Sequence, residues 1–435
     1  MNATESRQLG VVSLATLLVS AHYGLGFLLG TAEQATTLGF AGSLYAASIG
    51  LGTIVLLLGL ARFYWHRVEP IWTLLGASYG RLVRVLVGVM AWTSLLGIEA
   101  VQAIAGAAIL QVVGLPAIPS IVGLTLCFWV LSLLPVEKAS WVFRGLLLLN
   151  VVALVGSLWK LHGFADYWRS PVDFFPALHQ IEPGKAIGVS VCTVLLVLVD
   201  MKYHQYFVRA KDTRTLYLSC FLAGLMLLAL AFLPSAAVIA AQHAAILPEA
   251  VNGRMVVPFI LSWLGGGSDR PLGMLLVAAL AVPALGLGSS VLRAQTRTVF
   301  DLELVPQSRL NTVLVAGANA LLALAIALRG GSIIGSIASF YSAYVGAVWI
   351  PFAAYLIAQA GGYVFSTLSV RFSLIAGSVA ALSALLLVLV VPDAAIFGST
   401  ELTIIFTGAG FGSLGLLLGQ VIEKYVSLPQ IKSES

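Results

Sequence analysis

Inside its long apolar runs this sequence carries a few groups that can bind a polar solute, hold a cation or exchange a proton. Glu99 lies in LLGIEAVQAIAG (95–106), fifteen positions after Arg84, about 22 Å along a helix at 1.5 Å per residue. Gln102 is its i+3 neighbour. Asp200 lies equally far from Lys185, with Lys202 and His204 close by; it reads first as a solvated inner helix end and second as a coupling acid. His22 is at mid-depth beside Ser20 and Tyr23, as proton carrier, solute hydrogen-bonder or paired core residue. An ionisable group within the hydrocarbon costs about 2.5–3.5 kcal/mol on insertion scales, so by default each marks a solute, ion or proton path.

The elements that must position these groups are membrane helices. Of 435 residues 60% are hydrophobic and 9% charged, with mean hydropathy +1.00, against about a quarter charged in soluble domains. Long unbroken apolar runs exclude a β-barrel, whose strands alternate. The formal charge of +5 sits in short clusters between spans rather than on one face, so it signals topology and not nucleic acid. Cys127, Cys192 and Cys220 fall in apolar runs without metal or disulfide spacing, and are expected to be small buried hydrophobes. A single Arg7 precedes an apolar stretch with no small-residue cleavage pattern, as in an uncleaved first span. No soluble domain is expected within this sequence, whose tails outside the apolar runs are short.

Apolar runs predict twelve spans, near 10–31, 38–61, 80–112, 117–134, 142–160, 185–209, 214–241, 271–297, 308–328, 332–359, 370–392 and 401–424. With the N-terminus inside, 17 of the 23 Lys and Arg residues fall on the inner side and 6 on the outer, the asymmetry the positive-inside rule requires. Both termini are therefore expected in the cytoplasm, in a bacterial inner membrane. Two outer loops, 161–184 and 242–270, mix aromatic, proline and polar residues and read as lids or as aromatic-belt connectors.

The first span is not a quiet helix. Ser20, His22, Tyr23, Gly24 and Gly26 put polar groups and weak helix formers at bilayer depth, where broken backbone is tolerated only against protein or a watery cavity. A Gly-rich helix that lets a neighbour approach is the alternative. Gly188, Ser190, Cys192 and Thr193 interrupt span six at a corresponding place. Spans one to five (about 10–160) and six to ten (about 185–359) form two halves of opposite orientation, with two additional helices at about 370–424. Interrupted spans in matching positions of inverted halves point to a transporter site.

On these residues the chain resembles the sodium:solute symporter family, whose members share the LeuT-type five-plus-five inverted repeat. GTAEQATTLGFAGSLYAASIGLG (30–52) is similar to the family's Gly-rich exit from the broken helix, and TLLGASYGRLVRVLVGV (73–89) to the stretch before its third core helix. In DMKYHQYFVRAKDTRTLY (200–217), Asp200, Gln205, Ala210, Lys211 and Asp212 match the family's run at the inner end of the sixth core helix, while Met201 and Tyr206 depart from it. The resemblance implies a sodium site made by carbonyls of Ser20 and Tyr23 and by two hydroxyl residues of the eighth span. Counted from Asp301 those positions are Leu285 and Gly286, which offer no side-chain oxygen to a hard cation. Ser289 and Ser290 lie one turn deeper, and Pro283 with Gly286 and Gly288 could free carbonyls, or make an ordinary kink.

No enzyme signature is present: neither H-E-x-x-H nor G-x-S-x-G nor a phosphate-cradling loop. Gly408, Gly410, Gly412, Gly415 and Gly419 read as close helix packing. One transmembrane domain spanning 1–435 is expected, a secondary transporter of a small polar solute on an all-α fold, with a non-transporting sensor or a uniporter as alternatives. The solute is expected between spans one, three, six and eight, on Ser20, His22, Tyr23, Gly26, Glu99, Gln102 and Ser190. Coupling to Na+ or H+ is expected through Ser20, Tyr23, Leu285, Gly286, Ser289, Ser290, Glu99 or Asp200, with no other cofactor.

Overall fold

The computed structural model describes residues 8–67, 69–134, 140–200, 206–248, 251–391 and 394–427. Its helices, in chain order, are α1 (Val11–His22), α2 (Leu25–Leu38), α3 (Leu44–Gly59), α4 (Ala61–Trp65), α5 (Ile71–Tyr79), α6 (Arg81–Gln111), α7 (Ala117–Ser132), α8 (Ser140–Lys160) and α9 (Phe164–Ala177). They continue as α10 (Pro183–Val199), α11 (Thr213–His243), α12 (Val256–Leu264), α13 (Pro271–Asp301), α14 (Arg309–Arg329), α15 (Ile333–Gln359), α16 (Thr367–Val390) and α17 (Thr400–Ser427). The protein is an all-α, multi-pass membrane protein. Eight described helices are long and apolar enough to cross a membrane, nine if the pair Gly145–Lys160 and Phe164–Gln180, bent by 104°, counts as one. The expected twelve differ from that count because the first span is split in two, α2 runs through a 3-10 turn into α3, and α7 and α10 have only 16 and 17 residues.

Packing divides the chain into two compact units, Met1–Val68 with Leu95–Ile337, and Glu69–Ser94 with Ala338–Ser435. These bounds cut across the two expected repeats. In the first unit α11 packs on α1, α2, α3, α8 and α9. Small residues permit this: a Cβ at Gly224 would lie 2.6 Å from Ile54, and one at Gly50 2.8 Å from Leu228. Buried polar links fix the register, with Ser43 Oγ 2.7 Å from Ser235 Oγ and Asn150 Nδ2 donating to Ala279 O at 3.0 Å. Arg293 donates to the carbonyls of Leu131, Ser132 and Leu134, satisfying the C-terminal acceptors of α7.

Of the two loops at 161–184 and 242–270, the first forms α9. It buries Ser170 and Phe174 and exposes Trp168, Val172 and Phe175, one apolar stripe at i, i+4, i+7 that suits a helix lying in the membrane interface. The second loop folds back on α2. Cys192 and Cys220 are buried, but Cys127 faces outward, which corrects the expectation for that residue.

In the second unit Gly415 and Gly419 let α17 seat on α16 backbone to backbone, whereas Gly410 faces open space, which corrects the packing expectation for that residue. A Cβ at Gly415 would sit 2.5 Å from Phe372 O, and one at Gly419 2.4 Å from Ser369 Cα. Rigid backbone cannot yield as a side chain does, so Gly415→Val will cost about 1–3 kcal/mol by overpacking. Thermal unfolding in detergent, followed by size-exclusion chromatography, will show a lower midpoint.

Candidate functional site

The first helix breaks where the sequence places the break. Tyr23 leaves helical conformation at φ −74°, ψ 86°, and Gly24 is extended at φ −131°, ψ −172°. Tyr23 N–H still closes on Val19 O at 2.8 Å, but Gly24 N–H turns to His22 O and the next closure is Leu28 N–H on Gly24 O. Among the described residues no backbone N–H returns to the carbonyls of Ser20, Ala21 or Tyr23. The two carbonyls implied by the resemblance are thus released, as helix ends require. His22 ends α1, half-buried, and Ser20 Oγ donates to Leu17 O at 2.8 Å.

The sixth span differs from expectation. Helix α10 is continuous through Gly188–Thr193, because these small residues fit a helix and Thr193 Oγ1 donates back to Val189 O at 2.6 Å. The helix ends instead at Val199, with buried Asp200 extended at φ −70°, ψ 122°. Asp200 is therefore not a solvated helix end. Residues 201–205, with Lys202, His204 and Gln205, lie outside the described residues. Ser190 accepts a hydrogen bond from Ser48 Oγ of α3 at 3.3 Å. Asp212 plays a structural part, since its side chain accepts from Thr215 N–H at 2.6 Å and caps α11. That bond holds its carboxyl below the usual carboxylate range.

Helices α6 and α13 meet at two levels with opposite chain direction. A Cβ at Gly106 would lie 3.6 Å from Ala284 Cβ, and seven residues back on α6 the Glu99 carboxyl lies against the amide of Gln295, eleven residues on along α13. Between these levels a Gly24 Cβ would sit 3.5 Å from Leu287 Cδ1, so the break in the first span faces this stretch of α13. Glu99 is 1% exposed, Gln102 5%, Gln295 0% and Tyr23 4%. Both Glu99 oxygens, Gln102 Oε1, both Gln295 amide atoms and Tyr23 Oη lack an aligned hydrogen-bond partner; Gln295 touches Glu99 without well-directed geometry. An unpaired buried polar atom costs about 1–3 kcal/mol. Glu99, Gln102 and Gln295 are therefore the candidate site, because buried polar groups are ordinarily paired.

The remaining expected residues fall as follows. Gly26 serves close packing: its Cβ would meet Ile337 Cδ1 at 2.6 Å, as Gly30 would meet Ile334 at 2.8 Å. Helix α13 stays helical through Pro283. Gly286 O accepts from buried Ser289 Oγ at 3.1 Å, and exposed Ser290 donates to Leu287 O at 2.9 Å. Leu285 is half-buried. Toward the released carbonyls, α13 presents Leu287.

Three residues were not singled out from sequence. Gln295 lies 24 residues after Pro271, about 36 Å by helical rise and so beyond a hydrocarbon core counted from that end, and only its contact with α6 brings it to Glu99. Glu33 and Arg254 stand 221 positions apart, with Arg254 Nε donating to Glu33 Oε1 at 2.8 Å. Glu33 Oε2 also accepts from Ile333 N–H at 2.8 Å, and Arg254 Nη2 donates to Gly331 O at 2.6 Å. One carboxylate thus ties α2 to the loop before α12 and to the N-terminus of α15, where the helix dipole favours an anion. Beneath Arg254 a cavity of about 70 Å³, lined by Ile104, Ala107, Gln111, Ile121 and Met255 among others, has room for roughly two waters. At the opposite end of α1, Leu9 N–H donates to Arg209 O at 3.0 Å, Lys211 N–H to Leu9 O at 3.3 Å, and Trp65 Nε1 to Ala210 O at 3.2 Å.

No protein-family model and no curated protein matches the sequence. Among solved structures, a Na+-coupled sialic acid symporter in a substrate-bound, outward-open state is similar, with TM-score 0.55 and 14% identity over 93% of this chain and 96% of that one. So is Mhp1, a nucleobase-cation-symport-1 family transporter, in a closed conformation with bromovinylhydantoin bound, with TM-score 0.55 and 12% identity over 98% of this chain and 94% of that one. The fold is accordingly that of the LeuT-type transporters.

Proposed function

We propose that this chain is a secondary transporter that moves a small polar solute by alternating access. The observation that carries this reading is Glu99, a buried carboxylate without an aligned partner, set with Gln102 and Gln295 beside a broken helix. Half-helix ends around a midplane site are the device such transporters use. The solute binds on Glu99, Gln102, Gln295 and Tyr23, with the released backbone of Ser20 and Tyr23 as further ligands. The Glu33–Arg254 clamp is the outer gate and the Leu9–Ala210 pairing the inner latch; the 17 to 6 distribution of basic residues supports that orientation and cytoplasmic termini.

Coupling falls to protons rather than sodium. The hard cation would keep released carbonyls and water but meet Leu287 where it needs oxygen, and the hydroxyl of Ser289 is turned back on its own helix. Glu99 and His22 are titratable groups within reach of the path, and Asp200, buried at the end of α10, is a third. Uptake in proteoliposomes of solutes found by a thermal-shift screen tests this, first with sodium replaced by potassium at fixed pH and then with a pH gradient alone. Flux driven by pH supports the reading. A steep sodium requirement lost in Ser289→Ala, Ser290→Ala would restore sodium coupling, and no flux of any bound solute would make the chain a sensor.

The inner latch has its own test. Leu9→Pro deletes the N–H that bonds to Arg209 O, and will speed labelling of a cysteine at Ser20 from the cytoplasmic side several-fold. An unchanged rate would show that the pairing does not gate.

A further inference from the structure

The unpartnered atoms around Glu99 are unequal in kind. Four are acceptors: the two Glu99 oxygens, Gln102 Oε1 and Gln295 Oε1. Against them stand the amide nitrogens of Gln295, which already touches Glu99, and of Gln102; both are neutral, and each comes with an acceptor oxygen of its own. No described ion pair involves Glu99. The arginines of α13 are engaged elsewhere, Arg293 on the carbonyls ending α7 and Arg297 on Asp301 at 3.8 Å. The two amides balance their own donors and acceptors, so the group left to complete is the Glu99 carboxyl: a ligand that completes it brings N–H donors and positive charge, whereas a carboxylate would set further acceptors against it.

We infer that the ligand of this site is a small organic cation whose charged nitrogens lie on one planar edge, as in an amidine or guanidine group, held by Glu99 with Gln102 and Gln295. Two N–H donors from one planar edge match the two carboxylate oxygens, the geometry in which charge-assisted hydrogen bonds are strongest. The amide oxygens take further N–H groups and Gln295 Nε2 returns one donor. The inference rests on placing the solute at Glu99, and it is tested by binding alone, so it can fail while transport stands, and stand while transport fails.

The probes are acetamidinium, acetamide and acetate, which share a shape and differ in charge and donors. Each is titrated into purified protein in a potassium buffer at neutral pH, with heat of binding and unfolding temperature as readouts. Acetamidinium is expected to bind at least tenfold more tightly than either isostere. Glu99→Gln removes that preference while leaving the unfolding temperature of the free protein undiminished, and Gln295→Leu weakens it several-fold. Acetate bound as well as acetamidinium would overturn the inference. So would an acetamidinium preference that survives in both variants, which puts the cation elsewhere. Sodium chloride stabilising the protein through Glu99, with no amidinium preference, would overturn it in favour of an inorganic ion. If Glu99→Gln does not fold, Gln295→Leu decides: an unchanged preference in that variant overturns the site.

Discussion

Cutting the clamp at Glu33 and Arg254 will open the mouth above the Ala107 cavity. In a variant with outward-facing Cys127 replaced by serine and a cysteine at Ala107, Glu33→Gln or Arg254→Met will raise labelling by an impermeant maleimide about tenfold or more. The size follows from the bonds. Glu33 makes two charge-assisted hydrogen bonds, to Arg254 Nε and to Ile333 N–H, both at 2.8 Å, and each bond to a charged group contributes about 1.5–3 kcal/mol when shielded. The side chains of Glu33 and Arg254 are 13% and 25% exposed, so the lower end applies, and about 1.4 kcal/mol is tenfold in an open–closed equilibrium. Packing keeps the pair in place: a Cβ at Gly253 would lie 3.1 Å from Glu33 O, and Asn252 Oδ1 accepts from Arg254 N–H at 3.1 Å. The exchange Glu33→Arg with Arg254→Glu separates two contributions. It restores an ion pair but sets a cation at the N-terminus of α15, where the dipole disfavours it, so it will recover only part of the closure. Labelling unchanged in all three variants would show that the clamp is decoration.

How far the sequence could be read depended on the range of the interaction concerned. Span boundaries were legible because hydrocarbon enforces them locally: the run read as 80–112 is Arg81–Gln111, and 332–359 is Ile333–Gln359. The break at Tyr23–Gly24 was legible because glycine and polar residues coincide at mid-depth. The same signal misled in span six, since glycine, serine and threonine also fit a continuous helix when their hydroxyls bond back to it, and the helix ends at Asp200 instead. Gln295 and the Glu33–Arg254 pair were beyond reach, because each is defined by a partner on another helix and depth along one helix says nothing of who faces whom. Gly26 was singled out for its place in the break, and a second reason for glycine there was not legible: its missing side chain makes room for Ile337.

Glu99→Gln will lower uptake at least about thirtyfold and raise the thermal stability of the empty protein. The two signs have one cause. In the free protein the carboxyl group is buried and neither oxygen has an aligned partner, a state that disfavours folding and that becomes worse whenever the group ionises; an amide of the same shape can never ionise and relieves it. With solute bound the same carboxylate makes charge-assisted hydrogen bonds that an amide cannot replace, and losing one partner of a buried charged pair costs about 2–5 kcal/mol, which is at least thirtyfold and up to thousands in affinity. Gln102→Ala, removing one neutral acceptor, will cost about tenfold on the same scale. Stability that falls together with uptake in Glu99→Gln would mark a structural residue and refute the site. Uptake that persists, with Tyr23→Phe and Gln102→Ala also silent, would move the solute to another part of the fold. A purely structural role cannot yield a more stable protein that has lost its flux, and paired melting and uptake curves on one preparation read both signs at once.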